Sequence, residues 1–278
     1  MKNLFDQVSQ QVSKAVTKKY STSFSLGILA LSPSIRPAIY AIYGYVRLAD
    51  EIVDSFHEYN KKALLERFKE QTWQALDEGI SLNPILQSFQ ETVNSYRIDR
   101  ALVTQFLKSM EMDLSPVDYD TELYKEYILG SAEVVGLMCL QVFVNGDQAA
   151  FDILKPYAMK LGSAFQKVNF LRDLNDDYRI LGRTYFPGIS MEVFDNHLKS
   201  TIEEDIESEF REALAGIKKL PGCSKFGVYL AYRYYYSLFK KIRRVPAQRI
   251  MQERVRVPNI HKLSLMMSSY VHYRMAII

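Results

Sequence analysis

The stretch that decides the fold reads YAIYGYVRLADEIVD and occupies residues 40–54. Its apolar residues recur every three to four positions, and the same pattern extends outward on both sides. This periodicity predicts an amphipathic helix over residues 34–56. Ser34 is its expected N-cap, and Pro37 falls in its first turn, where a helix tolerates proline.

A polar stripe follows one face of this helix. Tyr43, Arg47, Asp50 and Asp54 are separated by four, three and four residues, so they lie one above another. Asp50 and Asp54 are like charges one turn apart, which costs an isolated helix about 0.2–0.5 kcal/mol. A divalent cation held between them and a phosphate would remove that cost. One such pair is weak evidence by itself, because similar pairs are common on solvated helix faces.

A second stretch repeats the arrangement and reads QKVNFLRDLNDD, residues 166–177. Gln166, Asn169, Asp173 and Asp177 are separated by three, four and four residues, which again places them on one helix face. The preceding turns are mostly apolar, as is typical of a buried helix. A polar stripe on a buried helix must face a partner, a cavity or water.

The two stripes together predict a metal and phosphate site. Each has an arginine close upstream of an acidic residue, Arg47 in the first and Arg172 in the second. Facing helices that carry carboxylates are a known way to build a metal site inside a bundle. The four histidines are not paired at ligand spacing, which argues against zinc and iron. Carboxylate and amide oxygens suit magnesium, with manganese as a substitute, and a diphosphate would complete the coordination.

The rest of the chain favours an all-α fold. Hydrophobic residues make up 48% of the 278 residues, and turn-forming Gly (12) and Pro (9) are sparse. No stretch resembles a flexible linker, so residues 1–278 are expected to form a single domain. Further helices are predicted at residues 3–19, 61–79, 82–95, 99–112, 121–144, 147–178, 200–218, 224–244 and 259–277.

Composition also indicates the environment of the protein. The two cysteines do not form a disulfide framework, and the N-terminus lacks the apolar core of a secretory signal. The longest apolar stretch, residues 134–144, is well short of the roughly 20 residues that a membrane span needs. These features predict a cytoplasmic protein.

Charge is distributed unevenly along the sequence. The segment from Ala213 to the end holds thirteen Lys and Arg and one acidic residue, Glu253, whereas the preceding residues carry more acids than bases. Such a segment indicates contact with a polyanion, whether a diphosphate, anionic lipid or nucleic acid. A solvated basic helix face is the alternative reading.

Several motifs occur in one order over about residues 20 to 260. The sequence STSF lies at residues 21–24, ahead of both polar stripes. The supporting pieces are EMDL at 111–114, Tyr127 followed by Gly130 and Gly136, GRTYFP at 182–187 and ERV at 253–255. This combination resembles the squalene and phytoene synthase family. The resemblance implies an α-helical isoprenoid-synthase bundle with a central cavity. It also implies condensation of two allylic diphosphates through a cyclopropylcarbinyl diphosphate.

The resemblance assigns roles to residues that match the family motifs. The implied metal ligands are Asp50, Asp54, Asn169, Asp173 and Asp177. The implied substrate-binding residues are Ser21, Ser23, Phe24, Arg47, Gln166, Asn169, Arg172 and Arg254. Three tyrosines, Tyr43, Tyr127 and Tyr236, are expected to border the carbocation or the phosphates.

Two departures from the family pattern concern local geometry. The first motif begins Asp50-Glu51, where many members carry two aspartates. The stretch between Asp177 and Arg183 is one residue longer than usual. Both departures keep the terminal carboxylates of each pair, so they are expected to affect the geometry of the loops.

The expected product is phytoene, from two molecules of geranylgeranyl diphosphate. The last residues are too polar and too few to form the membrane helix of eukaryotic squalene-forming enzymes, and no glycine-rich dinucleotide loop is present, so no NADPH is expected. The first alternative is the same chemistry on farnesyl diphosphate, giving dehydrosqualene or a squalene precursor. The second is a non-catalytic scaffold of the same fold.

The partner expected for this chain is therefore a prenyl diphosphate. Nucleic acid is not expected, because the basic segment carries no recognised binding motif. Because substrate and product are oily, peripheral contact with anionic headgroups is expected through Arg233, Lys240, Lys241, Arg243 and Arg244. The sequence does not indicate an oligomeric state.

Overall fold

Every regular element in the described part of the chain is a helix. The computed structural model describes residues 1–115, 119–181, 183–188, 194–255, 265, 268–270 and 273. The helices are α1 (Lys2–Tyr20), α2 (Thr22–Leu29), α3 (Arg36–Asp54), α4 (Lys61–Glu78), α5 (Pro84–Tyr96), α6 (Arg100–Met112), α7 (Thr121–Ile128), α8 (Val134–Phe143), α9 (Gln148–Asp176), α10 (Asn196–Ile217), α11 (Gly222–Arg243) and α12 (Ala247–Ile250). The predicted all-α class is confirmed.

Side-chain caps explain where most of the helices begin. An aspartate or asparagine precedes six of them and accepts a hydrogen bond from a backbone N–H of the first turn, which would otherwise lack a partner. These caps are Asn60, Asn83, Asp99, Asp120, Asp147 and Asp195. Helix α10 therefore begins at Asn196, four residues before the predicted start.

Helix α3, which carries the first stripe, begins differently from the prediction. Ser34 is not its N-cap: the helix begins at Arg36, after Ile35, and has no side-chain cap. Pro37 does lie in the first turn, as predicted. Proline suits the start of a helix because its backbone angle φ is fixed near the helical value. It also has no backbone N–H, so it leaves no donor for a cap to satisfy.

Two short helices and two π-helical turns were not predicted. Helix α2 is capped by Ser21, and α12 is only four residues long. A π-helical turn, Leu129–Glu133, divides the predicted helix 121–144, and another, Asp177–Leu181, follows α9. The predicted helix 259–277 lies largely outside the described residues.

Two hydrophobic clusters flank α8. The first gathers α3 to α6 around the buried Tyr45 ring, which stacks on Phe89 with centroids 3.7 Å apart. The second gathers α9, α10 and α11 around Phe210. Helix α8 contributes to both, since Met138 belongs to the first cluster and Leu137 to the second. The assignment of the whole chain to a single domain stays a prediction.

One continuous helical stretch has the length and composition of a membrane span. Thr121–Phe143 covers 23 residues, more than the apolar run seen in the sequence, and its most apolar 18-residue window has a mean hydropathy of 1.3. Half of its most apolar window is buried inside the chain. Its second half, α8, packs on α3, α6 and α9. A core helix of a bundle has the same apolar composition, and this packing accounts for it.

Candidate active site

A deep cavity of about 600 Å³ lies among α2, α3, α8, α9, α10 and α11. This volume is in the range of small-molecule binding sites. Most of its wall is apolar, and the polar side chains of the two stripes that the sequence singled out lie together in one part of it. The cavity is therefore an apolar chamber with one acidic end.

The first stripe lines this acidic end from α3. Tyr43, Arg47, Asp50 and Asp54 all face the cavity. The Arg47 guanidinium forms an ion pair with Glu51 and lies 4.0 Å from a carboxylate oxygen of Asp50. It is therefore held at the cavity wall by carboxylates of its own helix.

The second stripe lines the same end from α9. Gln166, Asn169 and Asp173 face the cavity, and so does Asp177 in the π-helical turn. The Asn169 amide donates to the Gln166 side-chain oxygen at 3.4 Å. This bond joins the two amide groups of the stripe beside its carboxylates.

Two further arginines converge on the second stripe. The Arg172 guanidinium donates two hydrogen bonds to the Asp173 carboxylate. The Nε atom of Arg254, which follows α12, lies 2.7 Å from Oδ1 of Asp173, the oxygen that also accepts from Arg172 Nε. Both guanidinium groups line the cavity, where their planar donors suit phosphate oxygens.

The electrostatics indicate that the two acidic pairs face each other. Burial, together with the negative charge of Asp54, raises the pKa of Asp50 to about 7. Burial also raises the pKa of Asp177 to about 7, with added repulsion from Asp173 and from Asp54 of the opposite helix. Asp54 therefore acts on carboxylates of both helices, and a cation between them would relieve this repulsion.

The residues of this end would fit a magnesium ion for which substrate phosphates supply part of the coordination. Among the described residues, no group of three or more His, Cys, Asp and Glu side chains is close enough together to hold a metal ion unaided. Magnesium usually takes one or two carboxylates together with substrate phosphates and waters. Oxygen ligands in two opposed pairs, with three arginines beside them, fit that mode of binding.

The structure separates the three tyrosines that the family resemblance implied. Tyr43 and Tyr127 line the cavity, but Tyr236 does not. The Tyr236 hydroxyl donates to Glu207 of α10 at 2.8 Å, and the Tyr236 ring packs on Phe210 of the same helix. Tyr235 lines the cavity instead, and its ring stacks on Phe165 at 3.9 Å. One residue along a helix turns the side chain by about 100°, so a register error of one residue moved the assignment to the wrong face.

The predicted residues around α2 are also divided. Ser21 and Phe24 line the cavity, and the Ser21 hydroxyl caps α2 by accepting from the Phe24 N–H. The Phe24 ring lies 5.6 Å from the Tyr43 ring. Ser23 is partly exposed and does not line the cavity, so a direct substrate contact is not seen for it.

Three residues of the acidic end were absent from the predicted site. Asp113 and Tyr185 line the cavity. The Arg183 guanidinium lies 3.1 Å from carboxylate oxygens of both Asp54 and Asp113. Their segments, 111–114 and 182–187, were noted only as supporting motifs. Spacing could not place them in the site, since they lie in connections between helices.

The opposite end of the cavity is apolar and narrow. Leu154 and Asp173 are nineteen residues apart on α9, which corresponds to about 28 Å of helix. At this end α9 and α10 approach closely. A Cβ atom added at Gly216 would lie only 2.1 Å from the Tyr157 Cβ atom. The cavity therefore has the dimensions to take a long apolar chain with its polar head between the acidic pairs.

The chain resembles known proteins over most of its length. The family model for squalene/phytoene synthase matches residues 17–261. The sequence is 28% identical to chloroplastic phytoene synthase 1 of Solanum lycopersicum over 249 residues, which cover 82% of this chain and 59% of that protein. It is 28% identical over 218 residues to phytoene synthase of Arthrospira platensis, covering 74% and 70% of the two chains.

The fold also resembles a solved structure. A dehydrosqualene synthase crystal structure in complex with a ligand superposes with a TM-score of 0.81 at 19% identity and covers 97% of this chain and 98% of that one. Fold and site thus define an all-helical protein with an acid-ended apolar cavity. The chain belongs to the squalene/phytoene synthase family. It spans about three fifths of the length of several plant relatives, 59% of the tomato protein.

Proposed function

We propose that this protein joins two prenyl diphosphates head to head, with geranylgeranyl diphosphate as substrate and phytoene as product. The observation that carries the proposal is the pair of acidic stripes, with their arginines, at one end of a deep apolar cavity. The names of the tomato and Arthrospira relatives support it.

The acidic end would bind the diphosphate groups. Arg47, Arg172 and Arg254 would hold phosphate oxygens, for which guanidinium groups provide paired donors. The side chains that would hold magnesium are Asp50, Asp54, Asn169, Asp173 and Asp177. When bound, magnesium would neutralise the charge on the leaving diphosphate. Manganese would serve as a substitute.

The cavity walls would protect the carbocation that remains after diphosphate leaves. Phe24, Tyr43, Phe165 and Tyr235 line the wall beside the acidic end, and their ring faces carry the partial negative charge that attracts a cation. The apolar wall excludes water, which would otherwise capture the cation. The second prenyl chain would then attack to give a cyclopropylcarbinyl diphosphate, with loss of a proton. A second ionisation and rearrangement would complete the product.

The length of the cavity favours the longer substrate. About 28 Å of α9 separates the acidic residues from Leu154, which provides depth for a chain of four isoprene units. Farnesyl diphosphate remains the alternative substrate and would give dehydrosqualene or a squalene precursor. No reductant is expected for phytoene formation, since the proposed final step is loss of a proton.

The test supplies each substrate separately. Purified protein with magnesium is incubated with geranylgeranyl or farnesyl diphosphate, with and without NADPH. The molecular mass of the extracted lipid is then determined by mass spectrometry. The expected result is a forty-carbon hydrocarbon with the mass of phytoene, formed equally without NADPH. If only farnesyl diphosphate gives a product, with thirty carbons, then farnesyl diphosphate is the substrate instead of geranylgeranyl diphosphate. No product from either would favour the non-catalytic scaffold.

The cellular setting follows from the same proposal. We place the protein in the cytoplasm, in peripheral contact with a membrane that supplies and receives the oily chains, and expect no nucleic acid partner. Lys240 and Arg243 on α11, with Arg244 after it, contribute to a basic surface suited to anionic headgroups. Pelleting with anionic liposomes at low salt, weakened at high salt, is expected; no pelleting at low salt would contradict it.

A further inference from the structure

A fifth carboxylate lines the cavity apart from the two acidic stripes. Five aspartates of the described chain face the cavity; four of them form the stripes, and the fifth is Asp113, just after α6. It is 7% exposed and does not share a helix with either stripe. The proposed binding of diphosphate does not use it.

Asp113 is the centre of a buried network. The Tyr127 hydroxyl donates to one carboxylate oxygen of Asp113 at 2.9 Å. The Tyr185 hydroxyl lies 3.5 Å from the other oxygen and 3.5 Å from the Tyr127 hydroxyl. The oxygen near Tyr185 also pairs with the guanidinium of Arg183, a residue that is 8% exposed, at 3.1 Å.

The network connects the cavity surface to this carboxylate. Tyr127 and Tyr185 both line the cavity, and their rings stack with centroids 5.0 Å apart. A purely structural pair would require only Arg183 and Asp113. The two phenols add a hydrogen-bonded path from the cavity to a buried proton acceptor, at the end where the carbocation would form.

We infer that Asp113, acting through the Tyr127 hydroxyl, accepts the proton that leaves the carbocation when the hydrocarbon forms. The inference rests on the proposed function. A C–H bond next to the cationic carbon breaks, and its electrons form the new C=C bond. The proton bonds to the Tyr127 oxygen while the original hydroxyl proton moves to the Asp113 carboxylate. The cation becomes a neutral alkene, the carboxylate becomes a carboxylic acid, and release of that proton to water resets the site.

The surroundings of Asp113 suit such a proton acceptor. Burial, with a further contribution from the negative charge of Asp54, raises its pKa to about 7. Arg183 opposes this shift, as do the hydrogen bonds from Tyr127 and Tyr185. A general base works best when its pKa lies near the operating pH.

The experiment measures how much of the ionised prenyl diphosphate becomes hydrocarbon and how much becomes the alcohol that forms when water captures the carbocation. Asp113→Asn keeps the shape but removes the base, and Tyr127→Phe breaks the path while leaving the Asp113–Arg183 pair in place. The matched control is Tyr119→Phe, because the Tyr119 ring packs on Tyr127 and Tyr185 but does not line the cavity. Diphosphate release and extracted lipids are quantified in the same reaction with geranylgeranyl diphosphate and magnesium.

The expected result is a fall of at least about tenfold in hydrocarbon formed per diphosphate released, in both Asp113→Asn and Tyr127→Phe, with alcohols in its place. Tyr119→Phe should match the unaltered protein. An unchanged ratio in Tyr127→Phe would overturn the inference while leaving the proposed function intact, and so would an equal fall in Tyr119→Phe. If the unaltered protein forms no hydrocarbon from either prenyl diphosphate, the proposed function fails and the inference fails with it.

Discussion

Filling the apolar end of the cavity should change the preferred chain length. Ala158 lines the cavity from α9 and lies fifteen residues from Asp173, about 22 Å along the helix. Leu154 lies one turn further, at about 28 Å. A phenylalanine at position 158 would therefore close off about 6 Å of depth, close to the length of one isoprene unit.

The magnitude follows from the apolar surface that would lose its binding site. An isoprene unit has five carbons, and burying each contributes about 0.8 kcal/mol, so the largest loss is about 4 kcal/mol. Since 1.4 kcal/mol corresponds to a factor of ten, the upper limit is a change of roughly a thousandfold. Rearrangement of the chain and of the wall will reduce it. We expect Ala158→Phe to shift the specificity ratio by at least about tenfold towards farnesyl diphosphate.

The assay is competition between the two prenyl diphosphates at equal concentration, with products separated by mass. Met159→Phe is the matched control, because Met159 is the next residue on α9 but faces a different cleft on the other side of the helix. It should leave the ratio unchanged, and thermal unfolding should show that both variants fold. A ratio within twofold of the original in an active Ala158→Phe protein would refute the reasoning that the tail lies at this end.

Three other predictions follow from the structure. Tyr235→Phe should lower product formation several-fold, because it removes the hydroxyl that lies 3.4 Å from the Asn169 side-chain oxygen. Product formation by Tyr236→Phe should stay within twofold of the unaltered protein. Steady-state kinetics of both variants compare the two faces of α11. Glu133→Gln should raise the free energy of unfolding by about 1–2 kcal/mol at pH 8 and have little effect at pH 4.5, measured by urea denaturation. Burial raises the pKa of Glu133 from 4.5 to about 7, so its ionisation destabilises the folded state increasingly as pH rises from about 4.5 to 7 and by a constant amount above 7. Chelation with EDTA should abolish product formation, and added magnesium should restore it; activity that persists in EDTA would contradict the proposed metal.

The parts of the site that lie on long helices were predictable from the sequence. Helical spacing alone placed Asp50 with Asp54 and Asp173 with Asp177, and the structure brings both pairs to one cavity. Periodicity reports which residues share a face, and a polar stripe on an otherwise apolar helix requires a cavity or a partner.

Other parts depend on contacts that sequence spacing does not encode. Arg183 meets Asp54 across 129 positions of the chain and lies in a connection without helical period. Tyr235 and Tyr236 are adjacent, so only the packing of α11 decides which one reaches the cavity. Helix α2 has only eight residues, too few for periodicity to separate it from a loop.

The central claim is that both acidic stripes are needed at one diphosphate site. The most direct measurement compares the unaltered protein with Asp50→Ala and Asp173→Ala, each incubated with geranylgeranyl diphosphate and magnesium, and analyses the lipid products by mass. We predict a magnesium-dependent forty-carbon hydrocarbon from the unaltered protein and a loss of at least about 100-fold in each variant. Product formation within tenfold of the unaltered protein in either variant would contradict the claim.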